Sequence, residues 1–262
     1  MTRIETDICI IGAGSGGLSI AAGAVQMGAR VVLIEGGEMG GDCLNAGCIP
    51  SKALIAAAKA AQAMRDGAKF GITPTEPQVD FGAVKDHVAQ VIETIAPVDS
   101  QERFEGLGVR VIRDWARFTG PDVVEAGGHS IKARRFVIAT GSRPLVPPIP
   151  GVESVPYFTN ESIFALRDRP EHLLIIGGGP IGIEMAQAHR RLGCRVTVIE
   201  GAKALGRDDP EMAAVVLANL RSEGVEILED AQVSALSGQA GDITATLKDG
   251  RSVQGSHLLM AV

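Results

Sequence analysis

Asp7-Ile-Cys-Ile-Ile-Gly12-Ala-Gly14-Ser-Gly-Gly17-Leu-Ser-Ile-Ala21 reads as an apolar strand that runs into a glycine turn and leaves as a helix. The same text returns 165 residues later as His172-Leu-Leu-Ile-Ile-Gly177-Gly-Gly179-Pro-Ile-Gly182-Ile-Glu184-Met-Ala186. The match continues without a gap to Gly36 and Gly201: Gly28 with Gly193, Arg30-Val31 with Arg195-Val196, and Ile34-Glu35 with Ile199-Glu200. In both copies an acid follows the first glycine by 23 residues.

That register has a physical meaning. The first glycine makes the tight strand-to-helix turn, and the second lets the backbone approach a pyrophosphate whose charge sits at the helix N-terminus. The third allows close helix–strand packing, and the acid at the end of the second strand accepts hydrogen bonds from a ribose diol. Two such units predict an α/β protein with two dinucleotide sites, Gly12, Gly14, Gly17 and Glu35 in one, Gly177, Gly179, Gly182 and Glu200 in the other. A carboxylate at Glu200 repels a 2′-phosphate, so the second site is expected to take NAD in preference to NADP. Lys203 is the only cation close by in sequence.

Composition narrows the remaining classes. The 262 residues are 45% hydrophobic and 21% charged, the balance of a globular chain with a substantial core. A net charge of −6 argues against nucleic acid or an anionic membrane as partner. The N-terminus lacks an apolar signal core, and no apolar run is long enough to span a bilayer, so a cytoplasmic protein is expected.

Between the units, Ser51–Phe70 is alanine-rich and predicts a helix, Ile72–Gln78 a loop, and Phe81–Leu107 a second long helix with a break near Pro97. Strand-like runs follow at Val109–Ile112, Val123–Glu125 and Phe136–Ala139. Four prolines between Pro144 and Pro150 mark a boundary, giving domains 1–147 and 148–262. Further strands are expected at Val225–Leu228, Ile243–Leu247 and Leu258–Val262. The chain ends inside the last of these runs, which suggests a truncated second domain.

Cys43-Leu-Asn-Ala-Gly-Cys48-Ile-Pro-Ser-Lys52 lies between the two units. A helix starting near Pro50 would place partial positive charge at the cysteines, and Lys52 a full charge one turn on, both of which favour thiolate. Thiolate is the species that exchanges with disulfides. Zinc needs four ligands, and no histidine or second close cysteine pair lies nearby; two plain buried thiols are the other alternative. Cys9 and Cys194, in or beside apolar strands, read as inert core cysteines.

These residues resemble the pyridine nucleotide–disulfide oxidoreductases, the family of dihydrolipoamide dehydrogenase, glutathione reductase and mercuric reductase. The most specific part of the resemblance is Gly40-Gly41-Asp42-Cys43 through Lys52. It implies two Rossmann-like FAD/NAD(P)-binding domains, parallel sheets with small antiparallel layers. It implies FAD on the first unit, including Gly41 and the Ala139-Thr140-Gly141 segment, and NAD on the second. It further implies Cys43 as the interchange thiol, Cys48 as the thiol against the flavin, and Lys52 paired with Glu184 near the flavin. The implied reaction passes a hydride from NADH to FAD, then to the Cys43–Cys48 disulfide, then to a small disulfide or thiol substrate, as in dihydrolipoamide dehydrogenase. No metal cofactor is implied. Alternatives are mercuric ion as acceptor, suited to paired thiolates, or a nucleotide-binding fragment without catalysis.

Two departures stand out. Asp42 occupies a position where the best-known members have threonine. The family's Gly-Asp flavin segment and C-terminal dimerisation domain, which supplies a His-x4-Glu base, have no counterpart: none of His87, His129, His172, His189 and His257 has a glutamate at that spacing. The parent protein is accordingly expected to be a homodimer through that domain, and this chain alone a poor catalyst.

Overall fold

The near-continuous apolar runs of the two repeated units become parallel strands, and the segments after them add antiparallel ones. A computed structural model describes residues 1–262. It divides into two compact units, Met1–Pro50 with Ala89–Arg143, and Ser51–Val88 with Pro144–Val262.

The first unit is built on β1 (Thr2–Ile11), α1 (Ser15–Gln26), β2 (Val31–Glu35) and the short α2 (Gly41–Asn45). Its later strands are β3 (Arg110–Arg113), β4 (Arg117–Gly120), β5 (Val123–Ala126) and β6 (His129–Ile138). Together they form one six-stranded sheet in the order β3-β2-β1-β6-β5-β4. β1 is parallel to both β2 and β6, while β4, β5 and β6 pair antiparallel. The small antiparallel layer is therefore continuous with the parallel sheet, because the ten-residue β6 serves both. Val31, Val32, Leu33 and Ile34 are all buried, as a strand covered on both faces requires. Ile10, Leu18, Ala21, Leu33 and Phe104 pack on one side of the sheet, and Cys9, Ile34, Val124 and Ile131 on the other.

The helix α3 (Cys48–Arg65) runs into a 3-10 turn at Asp66–Phe70. The expected second long helix is three pieces: α4 (Phe81–Ile95), a 3-10 turn at Ala96–Asp99 and α5 (Gln101–Gly106). Pro97 supplies no N–H and crowds the preceding turn, so the α-helix stops before it. Ser100 then caps α5 by accepting from Arg103 N at 3.2 Å.

The second unit carries α6 (Asn160–Ile163), β7 (His172–Ile176), α7 (Pro180–Arg191), β8 (Arg195–Ile199), α8 (Pro210–Ser222) and β9 (Glu226–Leu228). Then follow β10 (Val233–Gln239), β11 (Asp242–Leu247), β12 (Ser252–Gly255) and β13 (His257–Met260). β13-β7-β8-β9 is wholly parallel, and β10-β11-β12 is a separate antiparallel sheet. Leu174, Ile176, Leu258 and Met260 from the first pack with Leu236, Ile243, Ala245 and Leu247 from the second, so the small sheet covers one face of the parallel one. Ser51–Val88 packs with this unit. Buried Lys85 donates to Ile163 O at 3.1 Å, Arg167 pairs with Asp86 at 2.7 Å, and Arg65 donates to Arg191 O at 2.8 Å. The expected division at residue 147 places Ser51–Val88 in the first domain, whereas the contacts of that segment group it with the second unit.

Candidate functional site

The two glycine turns are the same object built twice. Gly12 (φ +106°) and Gly177 (φ +112°) have backbones that L side chains rarely adopt. Gly12 N donates to Ile34 O at 2.8 Å and Gly177 N to Ile199 O at 3.0 Å. A Cβ on Gly12 would collide with the Ala139 carbonyl, and one on Gly177 with the Ala261 carbonyl. Ala139 N and Ala261 N in turn donate to Ile11 O and Ile176 O, each at 2.8 Å. Gly17 and Gly182 face the carbonyls of Gly12 and Gly177 with no room for a side chain. At Gly14 and Gly179, the N-caps of α1 and α7, a Cβ would have no neighbour closer than 3.8 Å. The free space at these two positions is what close approach of a pyrophosphate needs. Thr140 sits against Gly12, whose Cβ would come 3.2 Å from Thr140 Cα; Gly141 (φ +68°) follows in open space.

Both acids hold their turn together. Glu35 accepts from Ala13 N at 2.5 Å and from Gly37 N at 2.6 Å. Glu200 accepts from Gly178 N at 2.7 Å and from Ala202 N at 2.8 Å. Sequence spacing locates these carboxylates, but not the fact that each oxygen already serves the backbone. Each oxygen keeps a second lone pair for a ribose hydroxyl. In the second unit the loop after Glu200 folds back, Leu205 N donating to Gly178 O at 2.8 Å, and encloses a crevice of about 600 Å³ lined by Gly177–Pro180, Glu200, Lys203 and Arg207. Lys203 is tied to Asp230 at 2.5 Å.

The cysteine segment rides on the first turn. Gly40 N donates to Ala13 O at 2.9 Å, and a Cβ on Gly41 would come 2.7 Å from Gly14 Cα. That contact positions α2, which carries Cys43, while Cys48 opens α3. Both carry thiols, Cys43 half-buried and Cys48 exposed, and they hydrogen-bond to each other. Burial pushes the Cys43 thiol above its ordinary value, with the Cys48 contact and the charge of Asp99 adding to it. The expected thiolate-favouring field does not outweigh burial at Cys43, which sits on the short α2 rather than at the N-terminus of α3. Lys52 Nζ donates to both Glu184 oxygens at 2.9 and 2.7 Å. Cys9 and Cys194 are wholly buried and pushed up to about 12 by burial, as inert core thiols should be.

Residues 6–262 match the family described as pyridine nucleotide-disulphide oxidoreductase. The chain belongs to this family. Among its relatives is mercuric reductase of Streptomyces lividans, 36% identical over 97% of this chain and 56% of that protein. Mercuric reductase of Acidithiobacillus ferrooxidans is 33% identical over 98% of this chain and 48% of its own length. The chain thus spans about half the length of the curated relatives it matches. Among solved structures, the HOCl-induced flavoprotein disulfide reductase RclA from Escherichia coli superposes with a TM-score of 0.82 at 28% identity, covering 97% of this chain and 55% of that one. Its Cu(II) complex gives 0.83 at 28% identity, over 97% of this chain and 56% of that one. RclA is by name a flavoprotein disulfide reductase and the other two are mercuric reductases; none of these proteins is a dihydrolipoamide dehydrogenase.

As a member of this family the chain has a fold suited to a flavin and a nicotinamide nucleotide. Its histidines do other work. His189 is fully buried, with Nδ1 2.9 Å from Met185 O, and burial depresses it to about 4. His172 bridges Arg195 at 2.6 Å and Thr197 at 2.8 Å, and burial lowers it and His257 as well. No group of three or more histidine, cysteine or carboxylate side chains is arranged to hold a metal ion. No helix is long and apolar enough to cross a membrane. One feature the sequence reading passed over is Trp115, the sole tryptophan, whose ring lies against Gly36 beside Glu35.

Proposed function

We propose that the chain forms the nucleotide-binding and dithiol parts of a FAD-dependent NAD(P)H:disulfide oxidoreductase, with residues 1–147 serving FAD and 148–262 serving NAD. The observation that carries this reading is the duplicated glycine turn, open at Gly14 and Gly179 and closed at Gly12, Gly17, Gly177 and Gly182, with a cysteine pair seated on the first copy. The residues fit the two cofactors: each turn offers a space that a Cβ would fill, a helix N-terminus and a carboxylate with spare lone pairs.

Bound flavin would accept a hydride from the nicotinamide and deliver its electron pair to the Cys43–Cys48 disulfide. The chain's own residues do the rest. Gly14 and Gly41 hold the cysteine segment against the turn that would carry the FAD pyrophosphate. Lys52, whose ammonium is held by both Glu184 oxygens, would supply a fixed positive charge to stabilise the reduced flavin. Once reduced, the Cys43 thiolate attacks a sulfur of the substrate disulfide and releases one substrate thiolate, which takes a proton. The Cys48 thiolate then attacks Cys43 in the mixed disulfide, releasing the second and restoring the Cys43–Cys48 bond. NADH is favoured over NADPH by the Glu200 charge and by the pairing of Lys203 with Asp230; Arg207 is the remaining cation in that crevice. The acidic surface and absence of a spanning helix accord with a small-molecule substrate and a cytoplasmic setting, and the parent protein is read as a homodimer.

A second reading keeps the electron path and changes the acceptor. Mercuric reductases among the relatives favour a soft divalent metal ion taken by the two thiolates. The test is NADH oxidation by the FAD-loaded protein with either a small disulfide or mercuric ion. Cys43→Ser and Cys48→Ser each abolish consumption in the account given. Unchanged consumption in either variant shows that the cysteines are not the redox centre, and the acceptor supporting turnover separates the two readings.

A further inference from the structure

The one tryptophan of the chain is 72% exposed, an unusual place for so large an apolar ring, and three contacts hold it there. β3 lies in register with β2, so that Arg113 stands opposite Glu35. The Arg113 guanidinium donates to Gly37 O, joining the end of β3 to the loop after Glu35. Asp114 then accepts from Trp115 N at 2.8 Å and from Gly127 N at 2.6 Å, which sets the corner that turns the indole back over the loop. A Cβ on Gly36 would come 2.6 Å from Trp115 Cδ2, 2.8 Å from Cε2 and 3.0 Å from Cε3. These atoms lie at and beside the ring fusion rather than on its rim. The flat side of the indole therefore covers Gly36, and the opposite side faces solvent.

The position has a direction. If the pyrophosphate sits at Gly12–Gly17 and the adenosine ribose at Glu35, the base continues past Glu35 toward residues 36–38 and the end of β3. Trp115 stands on that line. The second unit lacks the counterpart: Gly201 matches Gly36, and the nearest atom to a Cβ there is Gln232 Cγ at 4.0 Å. We propose that Trp115 is the stacking wall for the adenine of the nucleotide held by the first unit, a wall the second site does not have. This rests on the reading of the first unit as the FAD site. Base-on-aromatic stacking is sequence-tolerant and adds about 5- to 150-fold to affinity. A site with such a wall holds its nucleotide longer than one without it.

The test uses the full chain with and without FAD. Flavin absorbs tryptophan emission, so the readout is not intensity but the slope of acrylamide quenching divided by the unquenched emission lifetime, which reports access to the ring. Bound FAD is expected to cut that slope severalfold. Trp115→Ala is expected to weaken FAD about 5- to 150-fold, with Trp115→Phe keeping most of the affinity and NADH binding at the second site changing less than twofold. FAD bound with an unchanged quenching slope, or bound equally well by Trp115→Ala, overturns the wall and leaves the FAD reading intact. No FAD uptake by the parent chain overturns both. If Trp115→Ala does not fold, the quenching slope of the parent chain and the Trp115→Phe affinity still decide.

Discussion

Replacing Gly177 and Gly179 separately by alanine should split folding from binding. At Gly177, φ is +112° and the new Cβ would come 2.7 Å from Ala261 C, closer still to its oxygen. The left-handed backbone costs about 1–2 kcal/mol and the overpacking about 1–3 kcal/mol. For a loss of about 3 kcal/mol, the second unit should melt roughly 6–12 °C lower. At Gly179, φ is −74° and nothing lies within 4 Å of the added methyl. Losing glycine at the N-cap costs under about 1 kcal/mol, and stiffening the unfolded chain offsets about 0.4–1 kcal/mol. Gly179→Ala should therefore melt with the parent protein. Its methyl nevertheless occupies the space the pyrophosphate needs, and an overpacking cost of about 1–3 kcal/mol corresponds to about 5- to 150-fold weaker NADH. Thermal melts by circular dichroism and NADH titration by fluorescence read the two effects. If Gly179→Ala binds NADH within twofold of the parent, or Gly177→Ala melts with it, the account of the turn is wrong. Gly12→Ala and Gly14→Ala should behave as the same pair toward FAD.

Glu200→Ala orphans the N–H groups of Gly178 and Ala202, at a cost of about 1–3 kcal/mol for each charged hydrogen bond lost. It should weaken NADH more than NADPH, since both lose the support of the turn while NADPH also sheds the Glu200 repulsion, and a clean gain of NADPH affinity at full stability would show that Glu200 is only a charge filter. Burial lowers Lys85 from the ordinary 10.5 to about 8, so its contribution to stability is present above pH 10.5 and lost as pH falls through about 8. Lys85→Met should then exceed the parent in denaturant midpoint at pH 7, with the gap closing between pH 8 and 10.5; a gap independent of pH contradicts this. Burial and Asp99 hold the Cys43 proton, so site-resolved alkylation of the FAD-free protein should be slow at pH 7 and still rising above pH 9. A plateau by pH 8 would mean that a cation reaches this thiol.

The strong features were legible because local chemistry dictates them. The glycine turns, Val31–Glu35 and Arg195–Ile199 follow from an apolar run that must be covered on both faces. The pairing of Lys52 with Glu184, residues 132 apart in sequence, came from the family resemblance rather than from any local pattern. β4, β10 and β12 escaped notice because their outer positions are exposed and polar, as in Val233-Ser-Ala-Leu-Ser-Gly-Gln239, and only pairing with β11 makes Val233–Gln239 a strand. α8 carries Met212, Val215 and Val216 on its exposed side, which blurs its apolar periodicity. Nor does spacing reveal that a carboxylate's oxygens are occupied by the backbone, or that burial outweighs the thiolate-favouring field at a cysteine. Those facts belong to the tertiary structure.

The central claim, that one unit holds FAD and the other delivers electrons to it from NADH toward Cys43 and Cys48, is tested most directly by an anaerobic titration. The protein is loaded with FAD, freed of excess, and titrated with NADH while its visible spectrum is recorded. The account predicts a retained flavin band that bleaches, with a long-wavelength thiolate-to-flavin band that Cys48→Ser removes. A protein that retains no flavin, or whose flavin NADH does not reduce, contradicts it.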